Sequence, residues 1–259
     1  MPVADLHVHT TNSDGSLTLE TLPAAAARAD LDAVAVTDHD RLHPNLDGPI
    51  VSLDGITIVH GIELRVQSDG QRLDLLGYGA EPTEPLIDLV EYLQRDRVQR
   101  ARAIVDCVED RLDVDLDIAL KPGVGRPHIA RAIAASQADL DYEGAFAELI
   151  GDDCPCFVAR DVPSFDEGAE ILSEACSVVG LAHPFRYGDP MSALQLARDL
   201  DAVEVHYPYS LDVDVTPAIG IAREDDLLIT GGSDAHDETL GRAGLDRETY
   251  ARLRDCLNI

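Results

Sequence analysis

Short apolar runs rich in Val, Ile, Leu and Ala recur along the chain, separated by longer stretches with helical spacing of apolar positions. The runs predict strands over 3–9, 33–37, 56–62, 73–78, 178–182, 202–206 and 227–230, since strand residues alternate faces and buried strands read as continuous apolar segments. The intervening pattern predicts helices over 18–29, 165–176, 191–200 and 216–223. Ser16 and Thr18 are the cap candidates for the first of these. Such alternation predicts an α/β fold with a mostly parallel sheet or barrel. From 85 to 160 the alternation stops: helical spacing runs through 90–104, 126–135 and 142–150. The expected organisation is therefore a barrel over 1–84 and 161–259 with a helical cap inserted at 85–160.

The chemistry collects at the ends of the apolar runs. His7 and His9 are two apart in the first strand and so face the same side, with Asp14 on the turn that follows. Thr37-Asp38-His39-Asp40 closes the second run, Gly61-Ile62-Glu63 the third, Ala182-His183-Pro184 a later one and Gly232-Ser233-Asp234-Ala235-His236 the last. Five of the nine histidines fall in these clusters, which suggests one metal centre; His43, His60 and His206 read as structural. A His and carboxylate set without cysteine suits Zn, Mn or Fe and does not choose among them. In parallel α/β barrels the active site lies at the carboxyl ends of the strands, where these residues fall.

Composition narrows the picture. With 259 residues the chain can bury one substantial core. No apolar run approaches the roughly 18 residues of a membrane span, and no basic-then-apolar leader precedes the first strand, so a soluble cytoplasmic protein is expected. Five cysteines, odd in number and scattered, are expected to be free thiols. The 49 acidic residues against 20 basic ones give a net charge of -29, spread along the chain, and Lys121 is the sole lysine. That balance argues against long duplex nucleic acid, which is bound through basic patches, and fits a surface adapted to a salt-rich interior. Arg95, Arg97, Arg100 and Arg102, clustered on the polar helix, are expected to pair with neighbouring acids.

Taken in order, Asp-Leu-His-Val-His-Thr…Ser-Asp-Gly, Thr-Asp-His-Asp, Gly-Ile-Glu, Ala-His-Pro and Gly-Ser-Asp-Ala-His resemble the motifs of the polymerase and histidinol phosphatase (PHP) superfamily, over 2–241. The segments 124–130 (Val-Gly-Arg-Pro-His-Ile-Ala) and 183–187 (His-Pro-Phe-Arg-Tyr) are similar to its small stand-alone phosphoesterases acting on nucleotides and short RNA. The resemblance implies a distorted (β/α)7 barrel with an inserted helical cap, and two to three divalent ions. His7, His9, Glu63 and Asp234 would hold one ion, Glu63 and His183 a second, and Asp14, His39 and His236 a third. Asp74 stands where the family usually carries a His ligand to the second ion; a carboxylate there is harder and adds negative charge, which favours Mn over Zn. Glu63, Asp234 and Arg186 are the expected catalytic residues, Arg186 offering phosphate a planar fork. Arg126 and His128 of the cap, with Arg186, are the expected substrate contacts.

The activity so implied is hydrolysis of a phosphate ester by a metal-activated water, on a 3′,5′-bisphosphate nucleotide or the 5′ end of a short oligoribonucleotide. A histidinol-phosphate phosphatase is the neighbouring alternative within enzymes. A non-catalytic metal-binding accessory module is the alternative from another class. The charge balance makes its own prediction: the melting temperature should rise by many degrees between dilute buffer and molar KCl as screening removes self-repulsion. An unchanged melting curve would rule out the salt-adapted reading.

Overall fold

The computed structural model describes residues 1–209 and 213–257. Contacts divide the chain into two compact units, Met1–Val90 with Val162–Ile259, and Glu91–Asp161.

The first unit is built on a curled mixed sheet. β1 (Ala4–Val8) and β2 (Ala33–Val36) are buried along their whole length, β2 through an unbroken apolar sequence and β1 with Asp5 and His7 buried among apolar residues, and they pair in parallel with Ala4 opposite Ala33. β3 (Ile50–Leu53) lies antiparallel on β4 (Ile56–Ser68), half-buried at the margin of the sheet. β4 is long enough to change partners. Its first half runs parallel to β2, and its second half turns back antiparallel to β5 (Gln71–Tyr78). The reversal is made by Asp69-Gly70, both with positive φ (48° and 80°), the two-residue connection that matches strand twist. β6 (Val178–Leu181) is antiparallel to β5, and β7 (Ala202–His206) and β8 (Leu228–Gly231) continue the sheet in parallel. Beyond β8 the chain returns to β1: His9 N–H donates to the Ala235 carbonyl (3.0 Å) and Ala235 N–H to that of His7 (3.3 Å). This backbone link curls the sheet toward closure and fixes where the two histidines meet the last loop.

The helices lie where the periodicity placed them, with shifted ends at three of them and one omission. α1 (Leu22–Arg28) starts four residues later than its pattern suggests, because Pro23 belongs in a first turn and Thr18 and Thr21 hydrogen-bond each other just before it. The long α2 (Glu84–Leu112), α3 (Arg126–Ala135) and α4 (Tyr142–Ala145) follow, the last continuing into a wider helical turn over Phe146–Ile150. α5 (Phe165–Ala175) is capped by Ser164 and α6 (Pro190–Leu196) by Asp189. α6 tightens over Ala197–Asp199, and α7 (Thr216–Glu224) is as expected. α8 (Arg247–Leu257) and β3 were not foreseen, although Tyr250, Leu253 and Leu257 of α8 have helical spacing and pack with Leu6 and Tyr78 in one core. A second core gathers Leu17, Leu22, Val34, Val36 and Ile58.

The second unit has its own core, with Ile104, Val108, Ile129, Ile133 and Ile150 at its centre. That packing corrects the expectation of free thiols: Cys107 and Cys156, 49 residues apart in sequence, are brought to 5.6 Å between Cα atoms and joined in a disulfide. Cys154, Cys176 and Cys256 are free. No described helix is long and apolar enough to cross a membrane. Reduction of the disulfide, or Cys107→Ser, should lower unfolding free energy by about 2–4 kcal/mol, since it releases a long closed loop in the unfolded chain. Urea denaturation with and without reductant measures this.

Candidate metal centre

Each candidate ligand comes from a strand or from the loop directly after one. His7 lies in β1 and His9 one residue beyond it, both fully buried. The turn that follows is shaped by Asp38 at the end of β2. Its carboxylate accepts hydrogen bonds from Thr10 N (2.8 Å), Thr10 Oγ1 (2.7 Å), Ser13 Oγ (2.6 Å) and Asn12 Nδ2 (3.1 Å). That network sets the position of Asp14, and Gly15 is required beside it: a Cβ there would lie 2.2 Å from the His9 carbonyl oxygen. His39 follows Asp38, and backbone hydrogen bonds between Glu63 and Asp38 and between Asp40 and Glu63 lock the loop to β4. His183 follows β6 with φ of 25°, and Asp234 follows β8 with φ of 49°. Both are left-handed conformations that non-glycine residues hold only when the surroundings impose them. For the last loop the imposing group is Asp5. Its buried carboxylate accepts from Ser233 N (2.8 Å), Ser233 Oγ (2.5 Å) and Gly241 N (2.9 Å). Gly232 lets that loop touch β1, where a Cβ would lie 2.4 Å from the His7 Cβ.

These loops bring all nine candidate ligands together. Glu63 Oε1 is 3.0 Å from His183 Nε2 and 3.4 Å from His7 Nε2, while Oε2 is 2.6 Å from His39 Nδ1 and 3.4 Å from His9 Nε2. Asp234 Oδ1 is 3.1 Å from His9 Nε2 and 3.5 Å from His7 Nε2. Asp14 Oδ1 is 3.3 Å from His236 Nε2 and 3.7 Å from His39 Nε2. Four overlapping groups have donor atoms within 4.8 Å of one another: His9–Asp14–His39–His236, His7–His9–Glu63, His7–His183–Asp234 and Glu63–Asp74–His183. Asp74 reaches the cluster, with Oδ2 3.8 Å from His183 Nε2, but its carboxylate is also clamped by Arg65.

The electrostatics follow from this crowding. Burial alone would lower the His7 pKa, but the carboxylates of Glu204, Asp234 and Glu63 outweigh it and raise it well above the usual imidazole range. Burial, together with the neighbouring His39 charge, lowers that of His9. Burial would raise Glu63 and Asp234, yet the surrounding imidazoles hold both well below the usual carboxylate range. Carboxylates that raise a buried imidazole in this way favour any cation placed between them. The residues fit divalent ions on a further count: His7 Nε2 is buried without a hydrogen-bond partner, while His7 Nδ1 is turned to Glu204 (3.1 and 3.3 Å), leaving Nε2 directed at the cluster.

Glu204, Asp5, Tyr207 and Arg65 were not singled out from the sequence. Glu204 carried a readable signal, an acid in the middle of the apolar run 202–206, and in the structure it also accepts from His183 N–H (2.8 Å). Tyr207 donates to Asp234 Oδ2 (2.9 Å) and lies beneath the Arg186 guanidinium. Arg186 donates from Nη1 to the same carboxylate oxygen (3.0 Å) and to Tyr207 (3.0 Å), and is 52 % exposed. Arg126 and His128 belong to the second unit. Arg126 pairs with Asp152 (2.7 Å) and lies over the rings of Phe146 and Phe157, and His128 Nδ1 accepts the Gly125 N–H (3.1 Å) at the start of α3. Of the histidines read as structural, His60 accepts the His43 N–H (3.0 Å), and burial pushes its pKa down to about 4.

Residues 5–150 match the PHP domain. The chain is similar to the 5′-3′ exoribonuclease Rnm of Escherichia coli, at 27% identity over 90% of this chain and 85% of that one. It is similar to the 3′,5′-nucleoside bisphosphate phosphatase of Chromobacterium violaceum, at 28% identity over 71% and 67%. A crystal structure of a metal-dependent phosphoesterase from Bifidobacterium adolescentis superposes with a TM-score of 0.79 at 25% identity, over 98% of this chain and 96% of that one. The ligand-type groups exceed what one ion can use, so elemental analysis after reconstitution with Mn should find more than one equivalent per chain. One equivalent or fewer would sink the multinuclear reading.

Proposed function

This chain belongs to the PHP-domain family and is a metal-dependent hydrolase, and on that premise we propose that it cleaves phosphate esters of nucleotides or of the 5′ ends of short oligoribonucleotides. The observation that carries the reading is the convergence of His7, His9, Asp14, His39, Glu63, His183, Asp234 and His236 at one end of the sheet, with the Arg186 guanidinium beside them. A phosphate ester is an anion and resists attack by water until its charge is balanced. Two to three divalent ions held by this cluster would supply that charge and would lower the pKa of water toward neutrality.

The protein's own residues do the rest. Glu63, reached by four imidazoles through its two oxygens, would hold the ions. Asp234 divides its oxygens: Oδ1 faces His7 and His9, and Oδ2 accepts from Tyr207 and Arg186. The hydrogen bonds Arg186 makes among the described residues use Nη1, so Nε and Nη2 remain for two phosphate oxygens in a planar fork. The substrate class rests on chemistry that the names of the two relatives share, a phosphoester bond of a nucleotide. For Arg126 and His128 we propose contact with a more distant part of the substrate.

The test is phosphate or nucleotide release from nucleoside 3′,5′-bisphosphates and 5′-phosphorylated short RNAs, with Mn and in molar salt. No turnover of either class would overturn the reading. Arg186→Ala should lower turnover about ten- to thousand-fold, roughly 1.5–4 kcal/mol for losing a charge-assisted contact near developing charge, with metal content unchanged. His128→Ala and Arg126→Ala should raise KM. If they only lower the melting temperature, these two residues are scaffold.

A further inference from the structure

Among the candidate ligands, Asp74 stands apart in being held by an arginine through both oxygens. Arg65 and Asp74 face each other as direct partners across the antiparallel β4–β5 pair. Arg65 Nε donates to Oδ1 and Nη2 to Oδ2, each at 2.7 Å, the bidentate fork that carboxylate and guanidinium shapes allow. The Asp74 side chain is 3 % exposed, and its backbone N–H is fixed by the Tyr187 hydroxyl at 2.9 Å. Arg65 is held from its own backbone as well, its N–H donating to Asp40 Oδ1 at 3.0 Å. The oxygen that Nη2 grips is the one 3.8 Å from His183 Nε2, and that nitrogen is 3.0 Å from Glu63.

We infer that Arg65 is a built-in cation of the metal centre, standing in for a divalent ion at the Glu63–Asp74–His183 corner. The inference deepens the multinuclear reading of the same site and does not depend on which ester is hydrolysed. A guanidinium stays protonated at every pH at which the protein is folded, so its charge is permanent. It already satisfies the two Asp74 oxygens, and a divalent ion between Asp74 and His183 would meet that fixed positive charge at close range. Metal binding at this corner is therefore weak, whereas among the described residues the His9–Asp14–His39–His236, His7–His9–Glu63 and His7–His183–Asp234 sets include no carboxylate gripped by an arginine through both oxygens, Arg186 reaching Asp234 through one only. The protein so constructed holds two ions tightly, with a permanent charge where a third would otherwise go.

The test reads metal binding and not catalysis. Mn titration by calorimetry and elemental analysis after gel filtration are compared for the unaltered protein, Arg65→Gln, Arg65→Lys and Arg65→Gln/Asp74→His. Two tight ions are expected in the unaltered protein and in Arg65→Lys. Arg65→Gln should tighten a further ion at least tenfold. It also leaves a buried carboxylate without its cation, so the double variant, with a neutral imidazole in place of the pair, guards against misfolding and should bind three ions, one more than the unaltered protein; circular dichroism confirms its fold. Three tight ions in the unaltered protein, unchanged number and affinity in both Gln variants, or loss of ions from Arg65→Gln would each overturn the inference. Fewer than two ions in every protein would overturn it together with the multinuclear reading, whereas absent phosphate release with these metal counts intact would strike only the proposed substrate.

Discussion

The carboxylate of Glu63 lies within 3.4 Å of ring nitrogens from His7, His9, His39 and His183, and it is 1 % exposed. Removing such a charge from water costs several kcal/mol unless opposite charge surrounds it. Four imidazoles from β1, the β2 loop and the β6 loop can meet at one point only if the strands that carry them end together, so the sheet and the charge cluster stabilise one another. Divalent ions would complete the balance. The centre is thus both the reason the strand ends converge and the place where loss of one partner leaves a buried charge exposed to its full desolvation cost.

Around this core a second set of buried carboxylates acts on backbone and ring orientation. Asp38 builds the turn that carries Asp14, Asp5 builds the loop that carries Asp234, and Glu204 aims the His7 ring. They explain how Asp234 and His183 hold left-handed conformations without glycine. Gly15 and Gly232 serve the same end differently, by having no Cβ where loop and strand backbones press together. An acid-rich chain therefore uses some of its acids inside, as fixed hydrogen-bond acceptors, and the remainder as surface charge.

Arg65 and Arg186 show that the centre also contains organic cations. Arg186 is half exposed and grips Asp234 by one nitrogen, an arrangement open to an incoming anion. Arg65 is locked to a buried partner across a strand pair and is committed to the site itself. The difference between them is exposure and denticity, and it underlies the two roles proposed for them, substrate contact for Arg186 and a fixed part of the centre for Arg65.

The sequence by itself determined the α/β alternation, most strand and helix positions, the helical interruption after Pro85 and the identity of the strand-end histidines and acids. These depend on local period and on short motifs, which need no partner to be read. It did not show that β4 switches partners and turns antiparallel into β5, although Asp69-Gly70 is the local device, because partner choice is settled by register across the sheet. Nor did it show the Cys107–Cys156 bond, which depends on packing residues 49 apart in the chain. The roles of Glu204 and Asp5 depend on an imidazole and a loop that only folding brings to them. Arg65 and Asp74, nine residues apart in sequence, became a bidentate pair only when the hairpin laid one opposite the other. Periodicity names which residues go to the strand ends; only pairing in three dimensions decides what each of them meets there.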